Sequence, residues 1–254
     1  MWTFPQLAIF EALNHKTVET LRHKPTLDFV DWAPANIKNP DGTAFAFRET
    51  QIQPARDLFN PTLPHICIRA FSGAGKTYLI AAAIGYAIEQ LRHQIGVMFP
   101  NQDIAEDWVN EELEKLFDSS PCIAQLALVT DLKRFKRWFI GATLTALGAN
   151  STGRMRRFQG DTMYADEIDA IEQNAKDEGD KLANFYKRGR GREVQHKWAT
   201  SYPSLKGVSK IDALYELSDQ CKWHVPCYHC EKTYVSHTRQ MLWTPGQPET
   251  ARLI

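Results

Sequence analysis

Apolar positions along this chain switch repeatedly between a short continuous run and a 3.6-residue period. "HICIRAF" (65–71) is such a run, and "KTYLIAAAIGYAIEQLRH" follows it with Leu79, Ile80, Ala83, Ile84, Ala87, Ile88 and Leu91 at helical spacing. "QIGVMFP" (94–100) predicts a second buried strand, after which Asn101 caps a helix carrying Ile104, Trp108, Leu113, Leu116 and Phe117 on its buried side. Further on, "RWFIGATLTALGA" reads as strand and turn, "TMYADE" as a strand ending in two acids, and "HKWATSYP" as a strand closed by proline. Ser209 and Asp212 form a capping-box-like start to a helix over "SKIDALYELSDQ". Strands alternating with helices predict an α/β fold with a mostly parallel sheet covered by helices on both faces.

Both ends lack this rhythm. Residues 1–45 contain the turn-rich "DWAPANIKNPDGT" and read as an N-terminal lead-in, 46–222 as the main domain, and 223–254 as a small cysteine-containing extension. With 254 residues, 43% of them apolar, the chain can bury a real core. Its 30 basic and 30 acidic side chains exclude an overall positive field, so any hold on nucleic acid must come from local patches. The runs "KRFKRW", "GRMRRF" and "KRGRGR" are the candidates, as phosphate contacts to a DNA backbone, as the source of an arginine that reaches transferred phosphoryl charge, or as plain solvated surface. The first twenty residues carry no leader pattern, and no apolar stretch reaches eighteen residues, which implies a cytoplasmic protein with no membrane span. Of the five cysteines, Cys67 and Cys122 sit in apolar surroundings and are expected in the core.

Chemistry enters with "RAFSGAGKTYLI" (69–80), where a strand hands over to a helix. There Ser72, Gly73, Ala74, Gly75, Lys76 and Thr77 suit a phosphate loop, although Ala70 stands where the first glycine of GxxxxGK[ST] would be. Glycines let backbone N–H groups approach phosphate oxygens, the helix N-terminus adds a positive dipole end, Lys76 brings a mobile charge, and the Thr77 hydroxyl can ligate Mg²⁺. A phosphate loop needs an acid on a neighbouring strand end, and hydrolysis needs a base. "TMYADE" offers Asp166 for the magnesium side and Glu167 for the attacking water. Thr200 and Ser201 end a further strand where they can sense the γ-phosphate, and Arg69 is a candidate for stabilising transferred charge. Cys227 and Cys230 form a CxxC that supplies two of the four ligands of a zinc site; His224, His229 and His237 are the nearby candidates, and reduced thiols on a turn are the equal alternative.

Taken in order, "FSGAGKT", "LGANSTGRMRR", "YADEIDAI", "ATSYPSLKGVSKIDALYELSD" and "KWHVPCYHCEKTYV" resemble the large terminase subunit of tailed phages, lambda-type (A protein) class, over roughly residues 46–243. The resemblance implies the ATPase portion of a motor that pumps double-stranded DNA into a capsid, with a RecA-like phosphate-loop fold, ATP and Mg²⁺. It also implies a small terminase subunit and a portal as partners, a homo-oligomer on the capsid, and a phage or prophage protein in the host cytoplasm. Relatives carry a second cysteine pair and then a nuclease domain after the point where this sequence stops, so no nuclease activity is expected of this chain. The same residues also serve two other readings: a helicase-like nucleic-acid ATPase, and a nucleotide-binding assembly module without turnover.

Overall fold

The computed structural model describes residues 27–128, 134–172, 179–192, 195–226, 230, 232–235 and 241–253. Contacts divide the chain into a main unit, 1–214, and a small unit, 215–254.

The main unit opens with two helices, α1 (Phe29–Asn36) and α2 (Glu49–Leu58), before the first strand β1 (Ile66–Arg69). Then come α3 (Lys76–Glu89), β2 (Gln94–Phe99), α4 (Gln102–Asp107), α5 (Glu114–Asp118), α6 (Pro121–Ala124), β3 (Lys136–Phe139), β4 (Ala142–Gly148), α7 (Thr152–Arg157), β5 (Thr162–Ala165), α8 (Lys181–Tyr186), β6 (His196–Ser201) and α9 (Lys210–Glu216). The six strands form one sheet in the order β1-β6-β5-β2-β4-β3, parallel throughout except for the β3–β4 hairpin.

Side-chain alternation sorts the sheet into two faces, as a period of two requires. Ile95, Val97, Phe99, Leu144, Ala146, Tyr164 and Trp198 enter the larger core with α1 to α6. Met98, Leu147, Met163, Ala165 and Ala199 enter the smaller one with Met155, Phe185 and Ile211. Strand β6 comes last of the six in the chain but lies between β1 and β5, so three consecutive sheet positions end in the phosphate-loop candidate, Thr200–Ser201 and the acid pair.

Three details differ from the periodicity. A π-helical turn, Trp108–Leu113, separates α4 from α5; its extra residue shifts the helical phase, so Trp108, Leu113, Leu116 and Phe117 are buried while Ile104 is 40% exposed. Part of the expected lead-in is core: Phe29, Trp32, Ile37 and Phe45 are each at most 3% exposed. Cys67 and Cys122 are half-buried and pack against the two cores rather than inside them.

The small unit holds two antiparallel pairs, β7 (Val225–Pro226) with β8 (Thr233–Tyr234) and β9 (Met241–Thr244) with β10 (Gln247–Leu253). Cys230 is exposed, Cys227, His229 and His237 lie outside the described residues, and among the described residues no group of three or more His, Cys, Asp and Glu side chains could hold a metal. No helix among them is long and apolar enough to cross a membrane.

Candidate functional site

Between β1 and α3 the chain turns through Gly73 (φ +82°) and Gly75 (φ +80°), both in the left-handed region that glycine reaches without penalty. A β-carbon on Gly75 would also stand 2.6 Å from Gln51 Nε2. The Lys76 ammonium folds back over the loop and donates to the carbonyls of Ala70 (3.0 Å) and Phe71 (2.9 Å). The Ala74 N–H donates to Phe71 O at 3.3 Å, and the Ala70 N–H to Ser201 O at 3.4 Å, so the loop begins as a continuation of the β1–β6 ladder.

Two residues that the sequence reading missed hold this loop from outside. Arg48 Nη1 donates to Gly73 O (3.1 Å), and Gln51 Nε2 donates to Gly75 O (2.9 Å) while Gln51 Oε1 accepts from the Arg48 N–H (2.8 Å). The signal was present but ordinary: a glutamine three residues past a helix N-cap.

The acid side is built from the sheet. Asp166 is 4% exposed, and its N–H donates to Met98 O (2.9 Å), extending the β5–β2 ladder by one step. Its carboxylate accepts from Thr77 Oγ1 (3.3 Å), from Thr200 Oγ1 and from the Glu167 N–H (2.8 Å). Tyr164 OH lies 2.8 Å behind Thr200 Oγ1; burial first, and the Asp166 charge next, push this phenol well above its usual range, so it stays a donor. Glu167 takes a left-handed φ of +50°, which turns its side chain off the strand line. Burial and the adjacent Asp166 charge raise the Glu167 carboxyl above the ordinary glutamate range, against a lowering by Lys76.

Ser72, Gly73, Gly75, Lys76, Thr77, Asp166 and Glu167 line one cleft of about 590 Å³, whose far wall includes Tyr78, Trp108 and Leu116. Thr200 stands behind Asp166, fully buried. Ser201, also buried, turns elsewhere: its Oγ accepts from the Asp169 N–H (3.3 Å) and donates to Tyr202 O (3.1 Å). Arg69 pairs with Asp212 at 2.8 Å. That contact also undoes the expected capping box: Ser209 Oγ accepts from the Asp212 N–H (3.1 Å), but the Asp212 carboxylate goes to Arg69.

Asp169 is a further residue that the sequence left out. Its carboxylate accepts from the Ser204 N–H and the Ile211 N–H, both at 2.8 Å, and so clamps the segment after β6 to the acid turn. Burial opposes ionisation there, but these N–H donors with the Ser209 and Ser204 hydroxyls hold the carboxyl below the usual aspartate range.

The parallel sheet, with the glycine loop, the Asp166–Glu167 pair and Thr200 at the same end of its strands, has a RecA-like fold, which solved structures share. The HK97 bacteriophage large terminase superposes with a TM-score of 0.59 at 14% identity, covering 74% of this chain and 40% of that one. The ATPase domain of the Thermus phage P74-26 large terminase, in a point-mutant form, gives 0.51 at 12% identity, covering 76% and 78%. The chain belongs to the phage terminase large subunit gpA family, matching the model of its ATPase domain over residues 49–254. The large terminase subunit of Escherichia phage lambda is 23% identical over 239 residues, 87% of this chain and 37% of that protein. The chain thus spans little more than a third of the curated relative it matches.

Proposed function

We propose that this chain is the ATP-hydrolysing motor portion of a viral DNA-packaging terminase, coupling Mg²⁺-dependent ATP hydrolysis to movement of double-stranded DNA into a capsid. The observation that carries this reading is the convergence of Thr77, Thr200 and the Glu167 N–H on the Asp166 carboxylate, beside an open glycine loop. Thr77 and Asp166, a hydroxyl and a buried carboxylate 3.3 Å apart at a helix N-terminus, are the hard oxygen pair that Mg²⁺ takes alongside phosphate and water. When bound, the ion would neutralise charge on the phosphates.

The chain's own groups do the rest. Lys76 exchanges its loop carbonyls for phosphate oxygens, a swap that charge favours. Amides of Gly73 to Thr77 at the start of α3 orient the polyphosphate. Glu167 polarises the attacking water, as a carboxylate made more basic than usual by burial and then by the Asp166 charge. Thr200, sharing Asp166 with Thr77, relays the state of the γ-phosphate to β6; Ser201 and Asp169 carry it on to the segment that follows. In the host cytoplasm the same unit would act as a homo-oligomer on the capsid with the small subunit and portal. The CxxC of the small unit is proposed to hold zinc only together with ligands beyond the described residues.

The test is ATP turnover with and without Mg²⁺ and long duplex DNA, comparing wild type with Glu167→Ala and Lys76→Ala. Expected are Mg²⁺-dependent, DNA-stimulated turnover in wild type, loss of turnover with retained nucleotide binding in Glu167→Ala, and loss of both in Lys76→Ala. Full activity in Lys76→Ala would overturn the site assignment.

A further inference from the structure

The two basic runs "GRMRRF" and "KRGRGR" lie about thirty residues apart in sequence, yet the fold fastens them together. Arg188 Nη1 donates to Arg156 O at 3.5 Å, and the Gly160 N–H donates to Arg188 O at 3.4 Å. Arg157, the last residue of α7, is thereby set beside the Lys187–Gly189 turn, with Arg190 and Arg192 next along the chain and Lys197 at the second position of β6. Arg157, Lys187 and Arg190 are exposed, and Arg188, Arg192 and Lys197 half-buried.

Six cations gathered in this way repel one another unless acids are interspersed, as they are on an ordinary soluble surface. Here the balance is one-sided. Among the described residues one carboxylate ion-pairs with the six, Asp161 Oδ1 to Arg192 at 3.6 Å, while Asp161 Oδ2 accepts from the Gln94 N–H at 2.9 Å. The crowding is felt at Lys197, whose ammonium is pushed below the usual lysine range by burial and then by Arg190. The group occupies the end where β5 and β6 begin, opposite the end where the same strands deliver Asp166, Glu167 and Thr200.

We infer that this patch, centred on Arg157, Lys187, Arg188 and Arg190, binds the phosphate backbone of duplex DNA. Arginine dominates it, and the planar guanidinium is the side chain best suited to paired hydrogen bonds with phosphate. The described residues put no aromatic side chain among the six on which an unpaired base could stack, which favours duplex backbone over single strands. The inference rests on the motor reading only for its biological sense; binding itself needs no ATP. Strands β5 and β6 would then connect the DNA contact at one end rigidly to the hydrolysis machinery at the other.

The experiment measures equilibrium binding of the whole chain to a long duplex over a range of salt, without nucleotide, for wild type, Arg157→Glu/Arg190→Glu, and a charge-matched control, Lys38→Glu/Arg56→Glu, at exposed positions in the N-terminal helical segment. The patch variant is expected to lose roughly tenfold or more in affinity and to flatten the log–log salt slope by about 2, one for each phosphate contact removed, while the control stays near wild type. Basal ATP turnover should be unchanged and its stimulation by DNA lost. Wild-type affinity and slope in the patch variant, an equal loss in the control, or equal affinity for polyglutamate or single-stranded RNA would each overturn the proposal. A wild type that binds DNA through the patch but never hydrolyses ATP would sink the motor reading alone.

Discussion

Gln51 shows how one side chain can decide the shape of a loop it does not belong to. Its amide accepts from the Arg48 N–H and donates to the Gly75 carbonyl, so the start of α2 and the end of the glycine loop share one group. Gln51 is 5% exposed, and water cannot readily replace the bond to Gly75. Removing it with Gln51→Ala deletes a hydrogen bond worth about 1 kcal/mol net. Leu in its place would in addition leave the Gly75 carbonyl facing an apolar group. We expect Gln51→Ala to weaken nucleotide binding roughly fivefold by titration calorimetry, with kcat little changed, because Lys76, Asp166 and Glu167 keep their places. A fall in kcat with unchanged affinity would show that Gln51 acts on the chemistry and not on the loop.

At the scale of elements, the ends of the strands differ in what they bury. The C-terminal ends carry the cleft; the N-terminal ends carry a stacked pair of imidazoles, His93 and His196, with ring centroids 5.6 Å apart. His93 Nδ1 meets Thr162 Oγ1 at 2.9 Å, and Phe59 packs edge-on against His196 at 5.2 Å. Burial, then His93, push His196 down to about 4, against an upward pull from Asp161; burial also lowers His93, against Asp161 and with a smaller downward push from Arg192. His196 is therefore neutral in the folded protein down to about pH 4, whereas the unfolded chain takes up protons below about pH 6.5. Stability is fully present above that pH and declines as pH falls towards 4, by roughly 2 kcal/mol at pH 5 from His196 alone. Thermal unfolding should therefore show Tm falling between pH 7 and pH 5, and His196→Gln should flatten that fall; an unchanged slope in the variant would place the pH sensitivity elsewhere. This pair was invisible in the sequence, because a histidine before a strand looks the same whether or not a second one stacks on it. The opposite ends of the strands were more legible. "HICIRAFSGAGKT" and "TMYADE" each combine a hydrophobic strand with a chemical ending, and the local pattern carries both. That Thr200 would touch Asp166 depended on β6 inserting between β1 and β5, a long-range pairing that no local pattern encodes.

For the whole molecule, the boundary that sequence suggests and the one that packing draws are different. Turn residues in "DWAPANIKNPDGT" hide an eight-residue helix, α1, which contains Pro34 and is too short to show a clear period; the family match also begins only at residue 49. Yet α1 and the segment after it cover α3, the helix that carries Lys76 and Thr77. Phe29 and Trp32 pack on Tyr86 at ring distances of 5.5 and 5.3 Å, Trp32 Nε1 donates to the buried Glu89 at 3.1 Å, and Phe45 stacks on Tyr78 at 4.7 Å. Burying Phe29, Trp32, Ile37 and Phe45 contributes on the order of 6 to 12 kcal/mol as an upper bound, comparable with the entire stability of a typical domain. A chain that starts at residue 46 should therefore lose cooperative unfolding and bind ANS, and Trp32→Ala in the whole chain should cost about 3 to 5 kcal/mol in urea denaturation, the range for a large aromatic removed from a core. Because α3 carries Lys76 and Thr77 of the proposed site, ATP turnover should fall in step with folded fraction in both. A chain from residue 46 that unfolded at the unchanged Tm, with turnover intact, would mean that α1 is a passenger on the domain and that its buried aromatics add nothing to the core that holds the glycine loop.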